Sequence, residues 1–350
     1  MMGVDTHMSQ KTSKTAPIAE SNAPGQMAGL FEPWGLGDSI IAAAAMRHRP
    51  KQFVLYCSSK WHAILREACG EEAILRPAEL SYTSRLQQST ASANHEQENR
   101  CAPAVISKIF SIRGDPRDWL AIRRIFPGIP VKMTGWMEFL SKKTVLLDWV
   151  YRTGFLRVRS RYLRWEQLLD LPEGSIANEY ALQRGIQSKE AVPGRVILHL
   201  GAQWKSKQYP NVARLRAGLE AHGFSVRILA GPHDPLPQNI DESDVTRPSV
   251  PELIRELRSA DWVIANDSGP MHLAAFLGAK TIVIPLLSNI QEWLPPGVIP
   301  VYSDRMPKGH MPISLYTTDQ ILEGWPEPSV IIDALLRAEA RNPDLRPRPL

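Results

Sequence analysis

Cysteine is scarce in this chain. Its 350 residues hold three, Cys57, Cys69 and Cys101, an odd number without C-x-x-C spacing. That argues against a disulfide framework or a cysteine-built metal module and fits a reducing compartment, so a cytoplasmic protein is expected. Long apolar runs are missing too. No stretch approaches the roughly 18 to 20 residues that span a bilayer, and the polar N-terminal stretch has no apolar core segment, so no secretory leader is expected. No G-x-G-x-x-G follows a strand-like run, which argues against a Rossmann dehydrogenase. No D-x-D triad is present, so a donor site that carries a metal in that way is unsupported. No repeat of solenoid period is visible.

What is present suits two soluble domains. The length supplies two cores, and 43% hydrophobic with 22% charged residues is ordinary for a globular chain. A net charge of +5 favours an anionic ligand, a membrane surface or nucleic acid without choosing among them. Residues 1–26 lack periodicity and read as a disordered extension. Apolar runs at 27–31, 53–57, 73–76, 105–112 and 131–134 read as strands, alternating with helical patterns at 40–47, 60–69 and 118–126. The polar stretch 81–100 reads as a mobile loop, and 138–151 as a helix. Pro172, Gly174, Gly185 and Pro193 place an interdomain linker near 171–192. A second alternation follows: strands at 195–200, 225–230, 262–265 and 281–287, and helices at 212–222, 251–259 and 329–341. Such a βα alternation predicts parallel sheets. The resulting division is 27–184 and 185–328, with 329–350 as final helix and tail.

Three stretches carry candidate chemistry. Asp261 to Ala265 is a buried-strand run that breaks at Asn266-Asp267-Ser268-Gly269 and continues into an apolar helix ending near Gly278. Ser268 suits an N-cap, and the free N–H groups and positive dipole end of such a helix suit a phosphate. His272 lies in its first turn, where it either donates to phosphate or caps the turn. Gly35-Leu36-Gly37-Asp38 follows the first strand. Asp38 there either N-caps the next helix or works as an acid–base group. His199-Leu200-Gly201-Ala202 closes another strand, and Ser206 and Lys207 follow. Lys207 either faces solvent or neutralises an anion. Asp234, in Gly231-Pro232-His233-Asp234, suits a turn or a ribose contact. Arg152, Arg157, Arg159, Arg161 and Arg164, interleaved with Tyr162 and Trp165, read as a solvated basic face or as a patch for an anionic head group.

Asn266-Asp267-Ser268-Gly269-Pro270-Met271-His272-Leu273-Ala274-Ala275 closely resembles the D-[ST]-G-x-x-H-[LI]-A-[AG] signature of the bacterial heptosyltransferases, glycosyltransferase family nine. The G-L-G-D turn resembles that family's G-x-x-G-D. His199 to Pro210 resembles its H-x-G-A-x-x-x-S-K-x-W-P, with Tyr209 for the tryptophan. The three stand in family order, and the likeness covers roughly 28–335. The chain departs from the pattern at Glu32-Pro33-Trp34, where the family has a basic or small polar residue.

The resemblance implies a GT-B fold: two Rossmann-like domains facing a cleft, with the C-terminal helix crossing back to the first. It implies inverting, metal-independent transfer of a sugar, usually heptose from ADP-heptose, onto a lipopolysaccharide core or another glycan or glycolipid acceptor, with no cofactor. Asp38 would be the base, and Lys207 would neutralise the departing diphosphate. Gly201, Ala202, Ser206, Asp234, Asp267, Ser268, Gly269 and His272 would line the donor site. Gly35, Gly37, Arg157, Arg159 and Arg161 would stand on the acceptor side, and peripheral contact with the inner face of the cytoplasmic membrane would follow from the arginines. A nucleotide-sugar-binding relative without transferase activity is the alternative. A nucleic-acid partner is not expected, because no recognised module accompanies the basic patch.

Overall fold

The computed structural model describes residues 26–78, 105–134, 160–199, 201–202, 207–236, 239–285, 290–303 and 324–341. The expected extension at 1–25, the loop at 81–100, the helix at 138–151 and the tail beyond 341 lie outside them.

Two parallel sheets organise the chain. The first has five strands in the order β3-β2-β1-β4-β5: β1 Gln26–Phe31, β2 Phe53–Cys57, β3 Ile74–Pro77, β4 Val105–Ser111 and β5 Val131–Met133. The second has six in the order β11-β10-β9-β6-β7-β8: β6 Val192–His199, β7 Ser225–Leu229, β8 Val245–Thr246, β9 Ala260–Asn266, β10 Lys280–Ile284 and β11 Ile299–Pro300. Each sheet reverses its winding at one point, between β1 and β4 in the first and between β6 and β9 in the second. Open α/β sheets bind ligands beside the C-terminal ends of the strands at such a point. β9 is buried at all seven residues, as a central parallel strand covered on both faces requires.

The helices are α1 Leu36–Met46, α2 His62–Cys69, α3 Pro116–Ile125, α4 Arg161–Leu168, α5 Ser175–Gln187, α6 Val212–Ala221, α7 Val250–Ser259, α8 Gly269–Phe276, α9 Ile290–Trp293 and α10 Pro328–Ala340. No described helix is long and apolar enough to cross a membrane.

α1 follows β1 and α8 follows β9, and the two pack directly against each other across the boundary between the sheets. Side-chain size makes this contact close. Ile40, Ile41 and Ala42 to Ala45 are fully or almost fully buried, so α1 is apolar all round, as an enclosed helix is. One hydrophobic cluster therefore runs through both halves, from Leu30, Ile40 and Leu55 to Val263, Leu273 and Phe276.

One expectation from the sequence gains detail and one is corrected. The stretch read as a linker, between the first sheet's last strand and β6, holds α5, a 13-residue helix that includes Gly185. Its Tyr180 packs edge-on against Phe276 of α8, so tertiary packing offsets the weak helix preference of glycine. The final helix does not cross back within the described residues. α10 buries Ile331, Ile332 and Leu335 against the second sheet's own core, and Glu339 accepts hydrogen bonds from Trp262 Nε1 at 2.5 Å and Lys280 Nζ at 3.1 Å. Gly218 of α6 makes room for it: a Cβ there would stand 2.6 Å from Ile332. The apolar face of α10 is used up on its own domain.

Candidate active site

The C-terminal ends of β1 and β9 bring the two candidate half-sites together. On the first side, Gly35 precedes α1 and Asp38 occupies its third position. The carboxylate reaches back to accept from the Gly35 N–H at 3.2 Å, so it does help to cap the helix. That uses one oxygen only in part. Asp38 Oδ2 also lies 3.3 Å from Arg113 Nη1, and Oδ1 accepts from Arg161 Nη1. Burial works against the charge of Asp38, but the guanidinia of Arg161 and Arg113 outweigh it and hold the carboxyl below the usual carboxylate range.

Arg161 and Arg164 do not form an exposed basic face. Both are buried and share Glu292, itself buried on α9: Arg161 Nε is 3.2 Å and Arg164 Nη2 2.9 Å from Oε1. Arg164 also donates to the Ile112 carbonyl at 3.1 Å. Ser160 caps α4 by accepting from the Tyr162 N–H, and this fixes where Arg161 starts. Of the acceptor-side arginines expected, Arg161 reaches the site as the partner of Asp38; Arg157 and Arg159 lie outside the described residues.

On the second side, Lys207 Nζ donates to Asp267 Oδ2 at 2.7 Å, and Trp293 Nε1 donates to Oδ1 at 3.1 Å. Lys207 is therefore not a free solvent-facing lysine; it stands at the edge of β9, held by a carboxylate. Ser268 occupies the N-cap position of α8, but its hydroxyl donates to the Asn266 carbonyl at 3.3 Å and caps nothing. The N-terminus of α8 thus has no side-chain cap from Ser268, and with Pro270 lacking an N–H, the backbone donors of its first turn are those of Gly269 and Met271.

The glycines serve packing more than ligand approach. A Cβ on Gly37 would stand 2.6 Å from His272 Cδ2, and one on Gly269 would stand 3.0 Å from Leu36 Cβ. The starts of α1 and α8 interlock through these two gaps. Gly201 is likewise filled from within, because a Cβ there would collide with the Asp234 carboxylate. Asp234 Oδ2 accepts from the Gly231 N–H at 2.8 Å, so this aspartate closes its own turn. Ala202 is buried beside it and accepts from Gln208 Nε2 at 2.9 Å. Ser206 lies outside the described residues.

His272 neither caps nor is charged. Burial pushes its imidazole down to about 4, and its Nδ1 lies 3.5 Å from the Tyr162 hydroxyl. The sequence reading passed over several residues that complete the site: Glu32, Trp34, Arg113, Asp118, Glu292 and Trp293. Trp34 Nε1 donates to Asp118 Oδ1 at 3.1 Å, and the Arg113 guanidinium lies 4.3 Å from the Trp34 ring centre. Only the break in the pattern at Glu32-Pro33-Trp34 signalled that side. Among the described residues, no cluster of three or more His, Cys, Asp or Glu has the arrangement of a metal site.

The arrangement places a carboxylate and an ammonium group on facing edges of two sheets, with a helix N-terminus beside the ammonium. That is what base-assisted displacement of a diphosphate needs. Known proteins share the frame. A structure of a glycosyl transferase family 9 protein from Veillonella parvula matches over 91% of this chain and 98% of its own, at a TM-score of 0.56 and 13% identity. The E. coli ADP-heptose lipopolysaccharide heptosyltransferase II matches over 90% and 100%, at 0.52 and 14%. E. coli heptosyltransferase WaaC with ADP matches over 90% and 98%, at 0.53 and 13%. At such identities these likenesses establish the GT-B fold. No curated protein matches by sequence. Residues 143–296, which contain Arg161, Lys207, the β9–α8 turn and α9, match the model of glycosyltransferase family 9 (heptosyltransferase). Residues 143–296 are thus similar to a family 9 glycosyltransferase domain, and they sit in a GT-B frame.

Proposed function

We propose that this glycosyltransferase moves a sugar, heptose from ADP-heptose, onto a hydroxyl of a glycan or glycolipid acceptor with inversion and without a metal. The observation that carries the reading is the placement of Asp38 and Lys207 at the switch-point edges of the two sheets, facing one interdomain seam. The acceptor oxygen attacks the anomeric carbon and its proton passes to Asp38. The bond from that carbon to the diphosphate oxygen breaks, and the electron pair leaves with the nucleoside diphosphate. Lys207 and the open N–H groups of α8 take up the charge on the leaving group, which supplies without a metal what a metal would otherwise supply. The ADP-heptose assignment is drawn from the E. coli proteins, one named for that donor and one holding ADP. A lipid-borne acceptor would bring the first domain to the cytoplasmic face of a membrane.

The test is thermal stability with ADP, UDP, GDP and their sugars, repeated on Lys207→Ala. A ligand at about 100 times its Kd adds about 2.7 kcal/mol. Adenine nucleotides are expected to raise the midpoint of the wild type and not of the variant. If no nucleotide raises it, the reading fails.

A further inference from the structure

Glu32 stands where the resembled family has a basic or small polar residue, and its surroundings are unusual. Its backbone is fixed: the N–H donates to the Tyr56 carbonyl at 2.9 Å, and the carbonyl accepts from the Ser39 hydroxyl at 3.3 Å. The side chain is thereby turned inward, at 0% exposure. Neither carboxyl oxygen receives a hydrogen bond. The nearest cation is Arg113, whose Nη1 lies 3.8 Å from Glu32 Oε1 and 3.3 Å from Asp38 Oδ2. One guanidinium nitrogen thus stands between two carboxyls, nearer to Asp38.

The groups that face Glu32 are Asp38 from α1, Arg113 from the turn after β4, Asp118 from α3 and Arg161 from α4. With Glu292 and Arg164 behind Arg161, four carboxyls meet three guanidinia. Three of the carboxyls hold N–H donors: Asp38 from Gly35 and Arg161, Asp118 from Trp34, and Glu292 from both arginines. Glu32 holds none. A buried acid without donors is most stable protonated, and Glu32 is in that position.

We propose that Glu32 is a positioning residue for Asp38, acting through Arg113: uncharged, it leaves the guanidinium on Asp38, and ionised, it draws the guanidinium away and frees Asp38 Oδ2 for the acceptor hydroxyl. The inference rests on the reading of Asp38 as the base. It adds a control on that base which the sequence family pattern does not contain. Burial, followed by the charge of Asp38, raises the Glu32 carboxyl to about 8, so the exchange falls within the working range of an enzyme.

The experiment is carbon-13 NMR of the full chain labelled at aspartate and glutamate carboxyls, from pH 6 to 9.5, with the Asp38 signal assigned by its loss in Asp38→Asn. The wild-type Asp38 signal is expected to move in a step centred near pH 8. Glu32→Gln, which has the shape of the uncharged acid, should abolish the step. Arg113→Gln leaves Glu32 titrating but removes the go-between, so the step should shrink. The same step in Glu32→Gln, or a flat Asp38 signal in the wild type, overturns the proposal. Neither readout needs turnover, whereas loss of turnover in Asp38→Asn tests the base alone. Where turnover is measured, kcat/KM of the wild type should show an added change across this range that Glu32→Gln lacks.

Discussion

The carboxylate of Asp38 rests on the guanidinium of Arg161, 123 residues away in sequence, and so ties the start of α1 to the start of α4. Arg161 in turn rests on Glu292, next to Trp293, which holds the Asp267 partner of Lys207. One chain of polar contacts therefore joins the Asp38 carboxylate to the Lys207 ammonium of the other half.

Asp38→Asn should cost stability, because Arg161 and Arg113 lose a carboxylate, but it should keep the stabilisation by ADP, because Lys207 and Asp267 are untouched. Transfer should fall about 10² to 10⁴-fold, the range for loss of a positioned base. Initial rates at saturating donor measure it. Turnover within a few-fold of wild type would remove Asp38 from the mechanism.

Glu292→Gln should destabilise strongly. It removes the carboxylate that two buried arginines share, and breaking a buried ion pair costs about 3–5 kcal/mol. Urea unfolding reads the loss directly. A change below about 1 kcal/mol would show that solvent reaches Arg161 and Arg164 after all.

Gly37→Ala places a methyl 2.6 Å from Cδ2 of the buried His272 ring. Overpacking of this kind costs about 1–3 kcal/mol. The thermal midpoint should fall, whereas Gly185→Ala, whose added Cβ meets nothing within 4 Å in a helix, should hold or raise it. Equal midpoints for the two variants would contradict the interlock.

His272 should make stability depend on acid. Its folded-state value is lowered to about 4 from an ordinary value of 6.5, so between these the unfolded chain binds the proton and the folded chain does not. Stability is then fully present above about pH 6.5 and is lost as pH falls towards 4. Glu32 pulls the other way above pH 4.5, because its raised carboxyl keeps a proton that the unfolded chain releases. The two slopes are of similar size and opposite sign between pH 4.5 and 6.5, so each masks the other in the wild type; relative to it, the urea midpoint should gain at pH 4.5 over pH 6.5 in His272→Gln and at pH 6.5 over pH 4.5 in Glu32→Gln. Unchanged slopes in both variants would sink the assignment.

What could be read from the sequence was local. The strand, the break and the helix around Asp267 to His272 are contiguous, so composition and spacing placed them, and G-L-G-D placed Asp38 in the same way. Groups that converge from afar left no such trace. Arg161 and Arg164 looked like a solvated basic face because Glu292 lies 131 and 128 positions away. Gly185 looked like a breaker, although packing of α5 on α8 keeps it helical. Ser268 stood where a cap belongs, yet a turn carbonyl two residues back took its hydroxyl. Nor did the sequence show that Gly37 and Gly269 make room for His272 and Leu36 of the facing helix.

The seam between α1 and α8 has a consequence for how such a protein can be altered. Gly37 admits His272, Gly269 admits Leu36, and Arg47 lays its guanidinium 3.4 Å from the Phe276 ring centre while donating to the Phe276 carbonyl at 2.9 Å. Each half thus carries the mould of the other. A second half borrowed from a relative would not seat on this first half unless the matching residues of both helices travelled with it. Such a seam favours change by point substitution within one chain over exchange of modules.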